Sequence, residues 1–572
     1  MINFALEGAQ ASPARPDSAK LIFYFMIKRF TISVAALLSM AASALACTSL
    51  IATPGATADN SVIITYAADS HNLYGELYSS PAKDYPKGAM RKIHDWDTGK
   101  YLGEIPQVRH TYATIGNMNE HGLAISESTW GGREELVDTT GIIDYGSLIY
   151  IALERSKTAR EAIEVMTSLV NQFGYASEGE SFSIADGKEA WIMDLIGKGG
   201  KEKGAVWVAR RIPDGMISGH ANHPRIHTFP LNDPETLYSP DVIDFARKQG
   251  YYEGKDEDFD FSRTYAITDF GALRGCDARV WSFFNNHASG MDKYLPWIMN
   301  GEEEVMPLWV KPDSALTVRD MQWAMRDHFE DTPFDMTKDV GAGPFKVPYR
   351  WRPMTFTVDS MEYTHERAIA TQQTGFTFVA QLRDSVPQPM KGVLWFGVDD
   401  TNTCVYVPVY SCVTKVPYCY AHGNGDMLTL SWDAAFWVHN YVANQAYNRY
   451  SQMIPDIRRV QNGLEDSIAA AVATTEAEIA SLPRKQQVKK LQALTDYWAN
   501  HSTREFKKLG DYLFVKYLDG NIKKETEPGV FLRTPEGICA YPEFGGYSDE
   551  YFRAVVKDAG DRLKVTQPTF SK

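Results

Sequence analysis

Basic residues are in short supply: Lys and Arg number 58 against 72 Asp and Glu, for a net charge of −14 at neutral pH. A protein that grips nucleic acid by neutralising phosphates needs the opposite surplus, so that class is excluded. Hydrophobic runs are short too. No stretch of about 18 apolar residues follows position 50, so nothing there spans a membrane. Cysteine is scarce, with 6 in 572 residues, and no Cys-x-x-Cys occurs, which excludes a zinc ribbon or a thioredoxin-type site. Internal repeats and low-complexity tracts are missing. What remains, 44% hydrophobic and 23% charged, is the composition of a globular chain with roughly three or four domain-sized units.

Familiar catalytic signatures are also absent. His365-Glu366-Arg367-Ala368-Ile369 has Ile where a zincin helix needs its second His. Gly179-Glu180-Ser181-Phe182-Ser183 lacks the closing glycine of a nucleophile elbow. Gly197-Lys198-Gly199 does not continue as a dinucleotide fingerprint, because position 202 is Glu, and there is no phosphate-binding loop. These stretches read as ordinary loop and strand residues.

The amino terminus is more informative. Met26-Ile27-Lys28-Arg29, an apolar run from Phe30 to Met40 and the ending Ala44-Leu45-Ala46 have the layout of a secretory signal peptide. The 25 residues before Met26 do not fit that layout, so Met26 is read as the true start. Residues 1–46 are expected to be removed by signal peptidase, sending the chain to the periplasm or the cell exterior; the apolar run is too short for a membrane anchor. The cut removes four bases (Arg15, Lys20, Lys28, Arg29) and two acids (Glu7, Asp17), so the mature chain stays acidic. It leaves Cys47 in first place.

Two functional readings of that cysteine remain open. In lipoprotein processing it would be acylated, although that signal normally carries Leu where Ala44 stands. As an N-terminal nucleophile, its thiol would attack a carbonyl while its own α-amine, with an ordinary pKa of about 7.7–8, served as general base. The two exclude each other, since acylation would remove the base. Among the chemical candidates Cys47 is the strongest by elimination. The other cysteines are Cys276, Cys404, Cys412, Cys419 and Cys539. Export permits disulfides, an odd number leaves at least one thiol free, and the pairing is not given.

Residues 48–52 predict a short strand, 54–60 a turn and 61–66 a second strand. Asp186-Gly187 is expected to join the strands 182–185 and 190–193 as a hairpin. Asp214-Gly215 is expected to do the same between 205–209 and 216–222. Thr158 and Glu161 form a capping-box pattern ahead of Ala162, Ile163, Met166, Leu169 and Val170, with Gly174 past the end. Strand pairs interleaved with amphipathic helices point to an α+β protein whose antiparallel sheets are covered by helices. Residues 375–383 and 392–410 predict further strands. From about 431 the pattern becomes helical, with Pro483 separating two helices. The expected organisation is a catalytic domain over 47–430, a helical extension over 431–518 and a tail over 519–572.

Several blocks carry a resemblance. Cys47-Thr48-Ser49-Leu50-Ile51, Ala58-Asp59-Asn60-Ser61 and Ala67-Ala68-Asp69-Ser70 occur in order, followed by the run from Gly116 to Ile125 and by Gly131-Gly132. The run from Glu178 to Asp186, Trp191-Ile192-Met193 and Gly219-His220-Ala221-Asn222 complete the series. Over about residues 47–450 the chain resembles the secreted dipeptidase A family of N-terminal nucleophile hydrolases. The resemblance implies an αββα sandwich and hydrolysis of dipeptides or short peptides by the cysteine, without metal or cofactor. Bile-salt hydrolases and penicillin acylases are similar but more distant.

Matched residue by residue, the resemblance implies Cys47 as nucleophile and Asp69 as the aspartate beside it, which holds its amine. It implies Asn222 as an oxyanion donor and Arg279 as a late active-site arginine. Two positions depart from the acylases. Tyr66 stands where they have an arginine three residues before the aspartate, and Glu127-Ser128-Thr129 stands where they have an asparagine. Thr129 retains a hydroxyl donor. Glu127 would suit a substrate α-ammonium, which favours a dipeptidase over an acylase. Arg109, beside His110, would meet the peptide carboxylate, or form an ordinary strand-edge pair. An amide acylase and a lipid-anchored, non-catalytic binding protein stay open as alternatives. Side-chain preference and oligomeric state, a homo-oligomer included, are left open.

Overall fold

All eight residues of Val62–Asp69 are buried, as are all nine of Thr374–Leu382. Strands of this kind, apolar along their whole length, have to be covered on both faces. The computed structural model describes residues 47–565 except 201 and 303, and it covers these strands with a second sheet on one side and helices on the other. The expected signal peptide, 1–46, lies outside the described residues.

We number the elements that frame the site. The strands are β1 (Ser49–Ala52), β2 (Val62–Asp69), β3 (Ser79–Ser80), β4 (Thr114–Ile115), β5 (Met118–Asn119), β6 (Ala124–Trp130), β7 (Gly179–Ala185) and β8 (Ala190–Gly197). They continue as β9 (Ala205–Arg211), β10 (Ile217–His220), β11 (Thr236–Tyr238), β12 (Trp309–Val310), β13 (Thr374–Leu382), β14 (Gly392–Val398) and β15 (Val407–Tyr410). One sheet has seven strands in the order β12-β10-β1-β2-β13-β14-β15, and the other has eight in the order β11-β9-β8-β7-β6-β5-β4-β3. Their paired strands run antiparallel.

The two sheets meet face to face through small polar side chains. Ser49 Oγ of β1 donates to Ser126 Oγ of β6 at 3.1 Å. His220 of β10 sits between Ser128 Oγ at 2.6 Å and Ser183 Oγ at 2.8 Å. Burial lowers the His220 pKa to about 3, so the ring is neutral there.

Helices cover the outer faces. α1 (Tyr145–Arg155) and α2 (Ala159–Phe173) lie on the eight-stranded sheet. They pack Leu148, Ile151, Ile163 and Met166 on Phe182, Trp191 and Met193. Burying a side chain of this size contributes about 1.5–3 kcal/mol. α2 begins where Thr158 accepts from the Glu161 amide and ends at Gly174, whose φ of 80° suits glycine. Residues 431–518 hold α4 (Ala435–Ala446), α5 (Tyr450–Ile479) and α6 (Arg484–Lys516), which pack against β14 and β15. Thr495 Oγ1 on α6 donates to the Pro408 carbonyl at 2.8 Å. Among the described residues, no helix is long and apolar enough to cross a membrane.

Of the two expected Asp-Gly hairpins the first forms: 182–185 pairs antiparallel with 190–193, and since Ala185 pairs with Ala190 the connection has four residues. Gly187 is there for space, not for a left-handed φ: a Cβ on it would lie 2.8 Å from the Asp384 amide nitrogen. The second is not a hairpin. β9 belongs to the eight-stranded sheet and β10 to the seven-stranded one, so residues 212–216 carry the chain from one sheet to the other. Asp214 Oδ1, accepting from the Gly55 amide at 2.7 Å, ties this crossing to the turn after β1. The crossing delivers β10 alongside β1, with Ser49 opposite His220.

Candidate active site

Cys47 is 4% exposed and leads directly into β1. Thr48 exchanges two backbone hydrogen bonds with Ala67 of β2, at 3.3 and 3.0 Å. The thiol is thereby held against the end of a central strand. β2 runs three residues beyond the expected strand end, which brings Asp69 to its last position. Cys47 Sγ lies 3.6 Å from the Tyr66 hydroxyl, and that hydroxyl donates to Glu127 Oε1 on β6.

On the opposite side, Arg279 binds the main chain around the cysteine. Arg279 stands in the first turn of α3 (Ala278–His287), into which a π-helical stretch, Gly271–Asp277, runs directly. Stretches of that kind are frequent at functional sites. Arg279 Nη1 donates to the Cys47 carbonyl at 2.7 Å and to Thr48 Oγ1 at 2.8 Å. Its Nη2 donates to Asn222 Oδ1 at 2.8 Å and to the Ala221 carbonyl at 3.1 Å, and its Nε to the Gly275 carbonyl at 2.8 Å. Burial, reinforced by the positive Arg367 nearby, brings the Arg279 pKa down to about 10, which keeps it charged at neutral pH.

Asn222 follows β10 with a φ of 59°, a conformation asparagine tolerates better than most residues. Its side-chain Nδ2 donates to the Thr129 carbonyl at 2.5 Å, and its backbone amide to Ser128 Oγ at 3.1 Å. Among the described residues the second Nδ2 hydrogen has no acceptor.

Asp69 is 1% exposed and accepts from Thr374 Oγ1 at 2.6 Å and from Arg367 Nη2. Arg367 comes from the loop before β13. It supplies a guanidinium near the site from far along the chain. Burial raises the Asp69 pKa, and Arg367 and Thr374 counter it. The Cys47 thiol is pushed well up, first by burial and then by the negative charges of Glu127 and Asp69. The Asp69 amide and the Tyr66 hydroxyl pull the other way.

Glu127 and Glu180 form a second feature beside the thiol. Thr129 lies opposite Glu180 across the β6–β7 ladder, so Glu127 and Glu180 are diagonal neighbours on one face. Thr129 Oγ1 donates to Glu180 Oε2 at 3.0 Å. Both carboxyls are buried, 1% and 0% exposed. Burial raises both pKa values, Glu180 further because the charge of Glu127 adds to it.

The expected residues Cys47, Asp69, Asn222, Arg279, Glu127 and Thr129 therefore come together, with the Thr129 hydroxyl committed to Glu180. Arg109 does not join them. It is exposed beside the His110–Asp84 contact, and among the described residues no hydrogen bond or ion pair links it to the cluster. Arg367 and Glu180 escaped the sequence reading. Arg367 lies inside the His365–Ile369 run, and Glu180 is the single charge in the strand Gly179–Ala185. That charge was a readable signal, because a carboxylate buried mid-strand needs a reason. Cys276, Cys404, Cys412, Cys419 and Cys539 are free thiols. Among the described residues no group of three His, Cys, Asp or Glu is arranged to hold a metal ion.

Comparisons with known proteins agree with a hydrolytic site. The model of peptidase family C69 matches residues 46–463. A probable dipeptidase of Latilactobacillus sakei is 23% identical over 457 residues, covering 76% of this chain and 88% of its own length. A probable dipeptidase A of Streptococcus pyogenes serotype M3 is 24% identical over 486 residues, covering 79% and 94%. Dipeptidase A of Lactobacillus helveticus is 22% identical over 450 residues, covering 74% and 84%. With a family match that spans both sheets and every residue gathered around Cys47, the chain belongs to peptidase family C69 and is a peptide-bond hydrolase.

Proposed function

We propose that this chain is an exported dipeptidase that uses Cys47 as an N-terminal nucleophile. The convergence of four distant segments on that one thiol carries the reading: the end of β2, the end of β10, the start of α3 and the middle of β6. Two antiparallel sheets stacked between helices suit the αββα sandwich of N-terminal nucleophile hydrolases. The dipeptidase names of relatives spanning most of the chain support the substrate class.

In this reading, signal peptidase removes residues 1–46 and frees the Cys47 α-amine. That amine takes the thiol proton, directly or through one water, and the resulting ammonium stabilises a thiolate that burial alone opposes. Asp69, fixed by Arg367 and Thr374, orients the ammonium. Sulfur attacks the scissile carbonyl carbon. The tetrahedral oxyanion accepts from the second Nδ2 hydrogen of Asn222 and from a backbone amide; one such donor contributes roughly 3 kcal/mol. The C–N bond breaks as the ammonium returns its proton to the leaving amino acid, which gives a thioester. Water, deprotonated by the amine, hydrolyses the thioester and restores the thiol.

The test pairs amino-terminal sequencing of the exported protein with an assay of dipeptides against N-acyl amides. We expect a mature chain beginning at an unmodified Cys47, turnover of dipeptides, and none in Cys47→Ala. A blocked or different terminus, turnover by Cys47→Ala, or a preference for N-acyl amides would each overturn the proposal.

A further inference from the structure

We propose that the Tyr66 hydroxyl is a catalytic hydrogen-bond donor to the Cys47 thiolate, and that Glu127 restrains it by competing with sulfur for its one hydrogen. The inference takes from the dipeptidase reading only that Cys47 is the nucleophile.

The argument is a count of hydrogens. A phenol carries a single O–H. Here it is given to Glu127 Oε1, while the same oxygen lies 3.6 Å from Cys47 Sγ. Carboxylate and sulfur therefore contend for one hydrogen. While Glu127 has it, Tyr66 shows sulfur only a lone pair. A thiol can donate its S–H to that lone pair, but a thiolate is repelled by it, so the arrangement favours the protonated cysteine. Once the thiol proton leaves for the α-amine, the balance changes. The hydroxyl hydrogen then gains by turning from Glu127 to the sulfur, because a hydrogen bond to an ion is roughly twice as strong as one between neutral groups.

Nothing else has to move. Tyr66 is 6% exposed, and its ring is wedged against Phe376 at 5.7 Å and Phe378 at 5.6 Å, both on β13. Its backbone carbonyl accepts from Thr377 Oγ1 at 2.9 Å. The ring is fixed, and rotation about the C–O bond alone redirects the hydrogen. No proton changes owner in that turn: the thiol proton goes to the amine and Tyr66 keeps its own.

Glu180 makes the turn affordable for Glu127. The two carboxyls are hydrogen-bonded to each other, and Glu180 is the one that keeps a proton, since the charge of Glu127 raises it further. Glu127 thus retains the Glu180 donor when Tyr66 swings away, and loses one partner instead of being stranded without any. The remaining charged groups around the sulfur come from three other elements. Asp69 on β2 is negative and paired with Arg367, and Arg279 on α3 holds the Cys47 carbonyl with Cys276 beside it. Asp97 and Tyr145 stand behind Glu127. Among the groups that touch the sulfur, Tyr66 is the one whose hydrogen can point either way.

The experiment measures alkylation of Cys47 by iodoacetamide, located by peptide mapping, from about pH 5 to 10 in the exported protein and its Tyr66→Phe and Glu127→Gln variants. kcat and KM for Ala-Ala are recorded in parallel. We expect the midpoint of labelling to rise by about one pH unit in Tyr66→Phe, whose thiolate has lost its donor, and kcat to fall roughly 10- to 100-fold with KM little changed. In Glu127→Gln the competitor and its charge are both gone, so the midpoint should fall by about one pH unit. A role in packing alone would shift both midpoints the same way or neither. An unmoved midpoint in either variant, or two shifts of one sign, would overturn the inference. If circular dichroism shows Tyr66→Phe unfolded, Glu127→Gln decides alone, and a midpoint that does not fall rejects the competition. Alkylation involves no peptide. Opposite shifts in a protein that cleaves no dipeptide would keep the Tyr66 assignment to the thiolate and remove the dipeptidase reading.

Discussion

Arg367 and Asp69 are 298 residues apart in the chain, yet they form an ion pair with side chains only 7% and 0% exposed. Removing one member of a buried pair strands the other charge, which typically costs about 3–5 kcal/mol. Arg367→Ala should therefore lower unfolding stability by that order in urea titration. The double variant with Asp69→Asn should recover part of the loss, because the stranded charge is gone. Additive losses would show that the pair is not the coupling between the two residues.

Thiol reactivity reports on Cys47. In the chain that keeps residues 1–46, burial and the charges of Glu127 and Asp69 hold the thiol well above its ordinary value, so little thiolate exists near pH 7.5. A freed ammonium beside it would reverse that balance. Iodoacetamide labelling of Cys47, followed by peptide mapping, should run at least about tenfold faster in the mature protein. Equal rates would remove the amine from the mechanism.

At Asn222 the amide and the backbone can be separated. Asn222→Ala should lower kcat by about 10²–10³-fold, the usual effect of an oxyanion donor, and should also cost roughly 1 kcal/mol for a φ of 59°. Asn222→Gly removes the amide without that backbone cost. It should match the kcat loss and be more stable than Asn222→Ala by roughly that 1 kcal/mol, since both variants lose the bonds to Arg279 and to the Thr129 carbonyl. A Gly variant with full kcat would assign Asn222 to structure alone.

Stability should fall as pH rises, and Asp399 accounts for part of the slope. Burial lifts its pKa to about 8, opposed by the Asn440 amide at 2.9 Å and the Asp400 backbone amide and helped by the charge of Asp400. The folded protein keeps this proton while the unfolded chain loses it near the ordinary value of about 4. The contribution is thus complete below pH 4 and lost as pH climbs through 8. Asp399→Asn should flatten the curve over that window, by up to about 1.4 kcal/mol per pH unit. Parallel curves for the two proteins would contradict the assignment.

How much of this could be read from the residues depended on how local the cause was. Cys47, Asp69 and Asn222 sit in compact sequence blocks, and β1, β2 and β10 bring those blocks together. The cap at Thr158 and the break at Pro483 were legible because each acts within one turn of helix. Failures occurred where the cause was distant. Asp214-Gly215 has hairpin chemistry, but Ser49 of β1 competes for the strand that follows, and pairing with His220 takes it into the other sheet. Arg367 carries no local sign that it will reach back to Asp69. Glu180 pairs with a residue of a different strand, and only the oddity of a charge amid Phe182 and Ile184 marked it.

The five hydrogen bonds of Arg279 also bear on how inactive variants can be used. Three of them end on main-chain carbonyls, those of Cys47, Ala221 and Gly275, and so ignore the side chain at position 47. The guanidinium acts as a rivet through peptide groups, indifferent to whether sulfur is present. A catalytically dead protein should consequently remain a faithful mould of the live one around Arg279, able to trap an uncut peptide with the main chain at 47, 221 and 275 still in its working position.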